Sequence, residues 1–121
     1  APENTIAAAR KALAVGADKW ETDAAVTSDE QLILFHDDSL TRTTDARRRF
    51  PKREPWTFTR FTLAEIRSLD AGSWFDENDP FGEIAAGHVM ASEQVSYRGE
   101  KVPLLSEALL FTKEHNWQMN L

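Results

Sequence analysis

Ala7, Ala8, Ala9, Ala12, Leu13 and Ala14 fall at helix-like spacing near the start of the chain and predict a helix. Asn4 is the expected N-cap, because its short side chain can accept from the orphan N–H groups of the first turn. Gly16 suits the left-handed position just past the end. From Lys19 to Val26 the pattern changes to alternation, with Trp20, Thr22 and Ala24 against Glu21, Asp23 and Ala25, which predicts a strand. Thr27-Ser28-Asp29-Glu30 reads as a turn. Leu32-Ile33-Leu34-Phe35 is then a continuous apolar run closed by His36. Such a run suits a strand buried on both faces, as in parallel sheets.

Ser39 to Phe61 shows no period and carries Arg42, Arg47, Arg48, Arg49, Lys52, Arg53 and two prolines, so a long surface loop is expected. Thr62-Leu63-Ala64-Glu65 is a capping box, with Ile66 and Leu69 on one face of the helix it starts and Gly72 as its stop. Ser73 to Lys101 reads as a second long loop. Two loops of this length in a small domain are usually functional or disordered. Pro103 leads into a helix from about Leu104 to His115, and Trp117 to Leu121 begins another strand. The order helix, strand, strand, helix, helix, strand predicts one domain, residues 1–121, that is a stretch of an α/β sheet or barrel. A complete eight-stranded barrel takes about 250 residues. The expectation is therefore a fragment, or a chain that forms a homo-oligomer through its exposed sheet edges.

Composition narrows the class. The chain has 121 residues, no cysteine and a net charge of −6. Disulfides and thiolate chemistry are excluded, and the acidic balance disfavours nucleic acid and anionic membranes as partners. No apolar run approaches the roughly 20 residues of a membrane span. No signal peptide and no initiator methionine are present, so Ala1 is expected to be a processed end or an internal position of something longer. The cellular compartment stays open.

The chemistry centres on three residues. Glu21 and Asp23 share a face of a strand, because residues two apart point the same way. His36 ends the next strand. Two oxygen ligands beside a histidine suit a hard divalent cation with an acid–base partner, a combination that fits hydrolysis of a phosphate ester. The spacing alone favours a solvated strand face paired to Lys19 and Arg10, and a histidine satisfied at the edge of the core. Asp37 and Asp38 could orient His36 but read first as a polar strand end, and Glu3 reads equally as a residue reaching the site from the start of the first helix and as a helix-capping or dipole partner. His88 and His115 need no ligand role, and the Arg47–Arg53 run reads as solvated. Trp74 and Phe75 read as core or pocket wall. Asp76-Glu77-Asn78-Asp79 is not a calcium loop, since Pro80 stands where a ligand is needed.

Beyond these spacings, the chain resembles the glycerophosphodiester phosphodiesterase family. The matching residues are Pro2-Glu3-Asn4-Thr5, Gly16-Ala17-Asp18 with Glu21 and Asp23, Thr27 with Asp29, and His36-Asp37 with Leu40, Arg42, Thr43 and Thr44. Thr62-Leu63-Ala64-Glu65-Ile66, Leu69-Asp70-Ala71-Gly72-Ser73-Trp74-Phe75 and Val102-Pro103 before Leu105 and Glu107 follow in family order.

The resemblance implies an α/β fold, the N-terminal part of a TIM (β/α)8 barrel with long inserted loops. It implies a metal-dependent phosphoric diester hydrolase of glycerol and lipid metabolism, releasing glycerol 3-phosphate and an alcohol from a small-molecule glycerophosphodiester. Glu21 and Asp23 would ligate one divalent cation, Mg²⁺ or Ca²⁺, and His36 would protonate the leaving alcohol. The family's His-Arg-Gly and Glu-x-Lys motifs do not occur in these residues, and Asp45-Ala46-Arg47-Arg48-Arg49 stands where a glycine-containing turn is usual. Residues 1–121 alone are therefore expected to be inactive. Two other readings compete. One is a barrel enzyme of the same type acting as a lysophospholipase D or on sphingolipid head groups. The other is a non-catalytic, self-associating fragment.

Overall fold

Thr5, rather than Asn4, caps the first helix. In the computed structural model, which describes residues 1–121, helix α1 spans Ile6–Ala14 and the Thr5 hydroxyl oxygen accepts from Ala8 N at 3.1 Å. Asn4 sits at φ +51°, a left-handed turn that sends its side chain back toward Thr22 and Asp23. Small side chains let α1 lie between two apolar clusters. Ala7 packs with Trp74, Phe75 and Tyr97, and Ala9 with Trp20, Leu34 and Ala108.

The alternating stretch after α1 is two strands, β1 (Lys19–Glu21) and β2 (Ala24–Val26). Trp20 and Thr22 are buried, then Ala25 and Thr27, so the inward phase slips by one residue at Asp23–Ala24. A period-two pattern cannot cross such a slip without changing face, and the strand breaks there. Strand β1 pairs in parallel with β4 (Gln118–Asn120), and Thr22 N continues that ladder to Asn120 O at 3.0 Å. Strand β2 instead forms an antiparallel hairpin with β3 (Leu32–Leu34), closed by the expected turn, where the Thr27 hydroxyl donates to Asp29.

The apolar run at Leu32–Phe35 is thus not a strand of a parallel array. Leu32 is exposed, and Leu34 N donates to Pro103 O at 2.9 Å, so the 103–104 segment covers the far edge of β3. The fold is mixed α/β with two two-stranded sheets, and these residues close no barrel.

The expected loops are largely built. Residues 39–61 hold α2 (Ala46–Arg49) and a 3₁₀ turn (Phe58–Arg60), with Leu40, Ala46, Trp56 and Phe61 buried in the main core beside Ile33, Ile66 and Leu69. Two of the arginines that suggested a solvated run lie on this core. Arg47 stacks 4.9 Å from the Trp56 ring centre, and Arg53 stacks 4.2 Å from that of Phe61 while donating to Glu65 at 2.8 Å.

Helix α3 (Leu63–Arg67) has the expected capping box on Thr62 but ends at Ser68, before Gly72. Gly72 instead precedes α4 (Ser73–Asn78), and a Cβ there would stand 1.7 Å from the Tyr97 carbonyl oxygen. With α5 (Ala91–Tyr97), α4 replaces the second expected loop. Helix α6 (Leu105–Glu114) returns the chain to β4. It is tied to β1 by Trp20, whose indole N–H donates to the Thr112 hydroxyl at 3.0 Å, and by the stacked Trp20–Trp117 pair.

Candidate functional site

The break between β1 and β2 creates the site. Glu21 is the last residue of β1, and Asp23 lies in the break itself. Phe35 N donates to Asp23 O at 3.0 Å, which sets the end of β3, and so His36, beside Asp23. Asn4 fixes the break from the helix side. Its side-chain oxygen accepts from the Thr22 hydroxyl at 2.6 Å and from Asp23 N at 3.2 Å, and its amide donates to Asp23 Oδ2 at 3.3 Å. An open cavity of ≈ 330 Å³ results, lined by Glu3, Asn4, Ala8, Glu21, Asp23, His36 and Arg42. All three residues singled out by spacing, Glu21, Asp23 and His36, face this one cavity.

A charged chain runs along its rim. His36 Nδ1 lies 2.7 Å from Asp37 Oδ1. Asp37 accepts from Arg42 Nε at 2.6 Å and Nη2 at 2.8 Å. Arg42 grips Glu3 with its other edge, at 2.9 and 2.5 Å. One guanidinium thus forks two carboxylates, a geometry only arginine offers. Asp37, expected as a polar strand end, belongs to this network, and so does Glu3, which reaches the site as one of its two expected readings had it. Asp38 does not: its backbone carbonyl accepts from Phe58 N, and the bonds of the network go to Asp37. Arg42, Asn4 and Glu3 are brought in by contacts 18 to 39 residues apart along the chain, which spacing does not reveal.

The electrostatics follow from these partners. The Arg42 bonds hold the Asp37 carboxyl at about 2, and Asp37 and Glu3 together push the Arg42 guanidinium up. The Asp37 hydrogen bond, then the Asp23 charge, raises His36 by stabilising its protonated form. His88 pairs with Glu83 and His115 with the Phe111 carbonyl, so His36 is the histidine of the cavity.

No three His, Asp or Glu side chains converge to enclose a metal ion. Glu21 and Asp23 nevertheless present carboxylates to the same open space. A pair of hard oxygen donors fits a cation that keeps water or phosphate oxygens as its other ligands. Four carboxylates line or adjoin the cavity, those of Glu3, Glu21, Asp23 and Asp37, against the single guanidinium of Arg42. Arg42 spends four of its five N–H groups on Glu3 and Asp37. An anionic phosphate entering such a space meets net negative charge unless a cation comes with it.

Residues 1–121 match the Glycerophosphoryl diester phosphodiesterase family over their whole length. The chain is 38% identical over 109 residues to glycerophosphoinositol inositolphosphodiesterase GDPD2 of Mus musculus, covering 90% of this chain and 20% of that protein. It is 38% identical over 117 residues to the glycerophosphodiester phosphodiesterase of Bacillus subtilis, covering 96% of this chain and 34% of the relative. Among solved structures, a phosphodiesterase of Oleispira antarctica in complex with the product sn-glycerol-3-phosphate superposes with a TM-score of 0.72 at 30% identity. That match covers 100% of this chain and 38% of the other. The chain thus spans less than two fifths of the length of each of these proteins.

Proposed function

The chain belongs to the glycerophosphoryl diester phosphodiesterase family, and from that premise we propose that the protein hydrolyses glycerophosphodiesters to glycerol 3-phosphate and an alcohol by metal-dependent acid–base catalysis. The observation that carries the reading is the convergence of Glu21, Asp23 and His36 on one cavity, with His36 held by Asp37. The relatives named for this activity and the bound product in the Oleispira structure support it. In this reading the residues sit in the N-terminal part of a (β/α)8 barrel, with the parallel β1–β4 pair as part of its wall.

Glu21 and Asp23 would hold the cation, Mg²⁺ or Ca²⁺ by the hardness of their oxygens. When bound, it supplies positive charge to the non-bridging phosphate oxygens. Without that charge the acidic cavity repels a phosphodiester, so the same carboxylates that bind the metal make activity depend on it. His36, whose protonated form Asp37 and Asp23 stabilise, gives its proton to the alcohol oxygen as the P–O bond breaks. Water supplies the new oxygen on phosphorus, so the products are glycerol 3-phosphate and the free alcohol. Asp37 keeps the His36 ring oriented, and Arg42 keeps Asp37 ionised. The base that accepts the water proton is not assigned to any residue of 1–121, since no second histidine lines the cavity.

The test is turnover of glycerophosphocholine by the full-length gene product, with and without EDTA, beside residues 1–121 alone. Activity only in the metal-replete full-length protein is the expected outcome. Metal-independent activity, or none, removes the reading. The lysophospholipid alternative calls for an apolar channel at the site, and the cavity adjoining it has one hydrophobic residue, Trp74.

A further inference from the structure

We propose that Asn4 is a positioning residue for the cation site: its amide selects which oxygen of Asp23 is left to a divalent cation, and Thr22 holds that amide in place. The proposal rests on the reading of Glu21 and Asp23 as cation ligands and deepens it. Asn4 lines the cavity beside them. It leaves the capping of α1 to Thr5 and stands at φ +51°, in the left-handed region, so its backbone serves the reach of its side chain rather than the helix.

The partners settle which way the amide points. Asp23 N can only donate, so the atom facing it at 3.2 Å is the amide oxygen, and the NH₂ group is the end turned to Asp23 Oδ2 at 3.3 Å. The Thr22 hydroxyl, on a residue only 1% exposed, donates to the same amide oxygen at 2.6 Å. Two donors therefore hold one end of the amide, and its other end holds the carboxylate. Asp23 Oδ2 is engaged in this way, while Asp23 Oδ1 accepts from no protein group and belongs to a side chain that lines the cavity.

The charge of the partner decides the effect. Of the four carboxylates, Glu3 and Asp37 are paired with Arg42, whereas Glu21 and Asp23 have no cationic side chain against them. A lysine or arginine in the place of Asn4 would orient Asp23 but offset the negative charge that a cation needs. A neutral amide orients the carboxylate and leaves its charge whole. A ligand side chain that turns freely must give up that freedom when it binds, and one already bonded has given it up on folding. Partners that orient a metal ligand in this way are worth about 10- to 100-fold in affinity.

The experiment titrates Mg²⁺ and, separately, Ca²⁺ into the full-length gene product, stripped of metal with EDTA, by calorimetry. Asn4→Gly is the main variant, because glycine accepts the left-handed backbone and the change removes only the side chain. Thr22→Val, which keeps the shape and loses the hydroxyl, and Thr22→Ser, which keeps the hydroxyl, are run beside it. Circular dichroism melts without cation establish that each variant is folded. The expected result is a Kd roughly tenfold higher in Asn4→Gly. Thr22→Val should raise it roughly threefold, the worth of one hydrogen bond, and Thr22→Ser should restore it. A merely structural Asn4 would lower the melting temperature of the metal-free protein and leave the Kd in place. An unaltered Kd in Asn4→Gly, or in Thr22→Val should the glycine variant not fold, overturns the inference and leaves the cation reading standing. Absence of cation binding by the native protein removes that reading and this inference with it.

Discussion

Asp37→Asn is the most informative single change, because one atom pair, His36 Nδ1 and Asp37 Oδ1 at 2.7 Å, ties stability to chemistry. In the native protein Asp37 offers one oxygen to Arg42 Nε and the other to both Arg42 Nη2 and His36. An asparagine has one acceptor oxygen, and its NH₂ group would face a donor on the other side. It can serve Arg42 or His36 but not both. Arg42 is not orphaned, since its bonds to Glu3 remain. The loss is therefore that of charge-assisted bonds replaced by weaker ones, discounted because the Arg42 side chain is 47% exposed, and comes to about 1 kcal/mol.

The pH dependence fixes the sign. The folded Asp37 carboxyl titrates at about 2, below its ordinary value of 3.8, so its contribution is present above pH 3.8 and fades as pH falls toward 2. The gap in urea midpoint between native protein and Asp37→Asn should be largest at neutral pH and close in that acid window. In turnover the effect runs the other way along the scale. Asp37 is the largest cause of the raised His36, and a proton donor works only while protonated. Removing the charge lowers His36 toward its ordinary range, although Asp23 and Glu3 still act upward on it. The alkaline limb of the kcat profile should move to lower pH. A limb that stays in place, or a stability gap that persists below pH 2, refutes the role given to Asp37.

Three further tests probe other joints. Gly72→Ala should destabilise by roughly 1–3 kcal/mol in urea unfolding, because its Cβ would meet backbone, the Tyr97 carbonyl oxygen at 1.7 Å, which cannot swing aside as a side chain can. A cost under about 0.5 kcal/mol would show that α4 and α5 separate freely. Thr112→Val should cost about 1–3 kcal/mol by leaving the buried Trp20 indole N–H unpaired, while Trp20→Phe on the valine background should recover part of it. Glu21→Gln and Asp23→Asn should each weaken Mg²⁺ or Ca²⁺ binding in calorimetry by roughly 100-fold or more, with matching loss of turnover. Unaltered affinity would place the cation elsewhere.

What the sequence disclosed and what it hid divide along the range of the contacts involved. The Thr62 capping box, the turn at Thr27–Glu30 and helix α6 depend on residues within a few positions of each other, and all are present. The helix cap failed by one position because Asn4 and Thr5 are both good caps. What separates them is the tertiary reach of Asn4 to Thr22 and Asp23, which repays its left-handed backbone. The β1–β2 break was masked because Ala24 and Ala25 are both apolar, so the slip of phase leaves no mark in a two-letter pattern, although Thr22 and Thr27, both buried, stand an odd number of residues apart.

The basic run between Arg47 and Arg53 deceived for a related reason: guanidiniums that lie on Trp56 and Phe61 cover core while counting as charge. That Glu21, Asp23 and His36 line one cavity was legible because strand geometry converts spacing of two into a shared face and strand ends into proximity. Arg42 was not, because its work is to join Glu3, at the start of α1, to Asp37, past the end of β3. A contact between residues 3 and 42 exists only once α1 has folded back across the β1–β2 break. The candidate groups of the cavity are thus set by local geometry, while the residues that hold them in charge state and orientation are set by the packing of α1 on the two sheets.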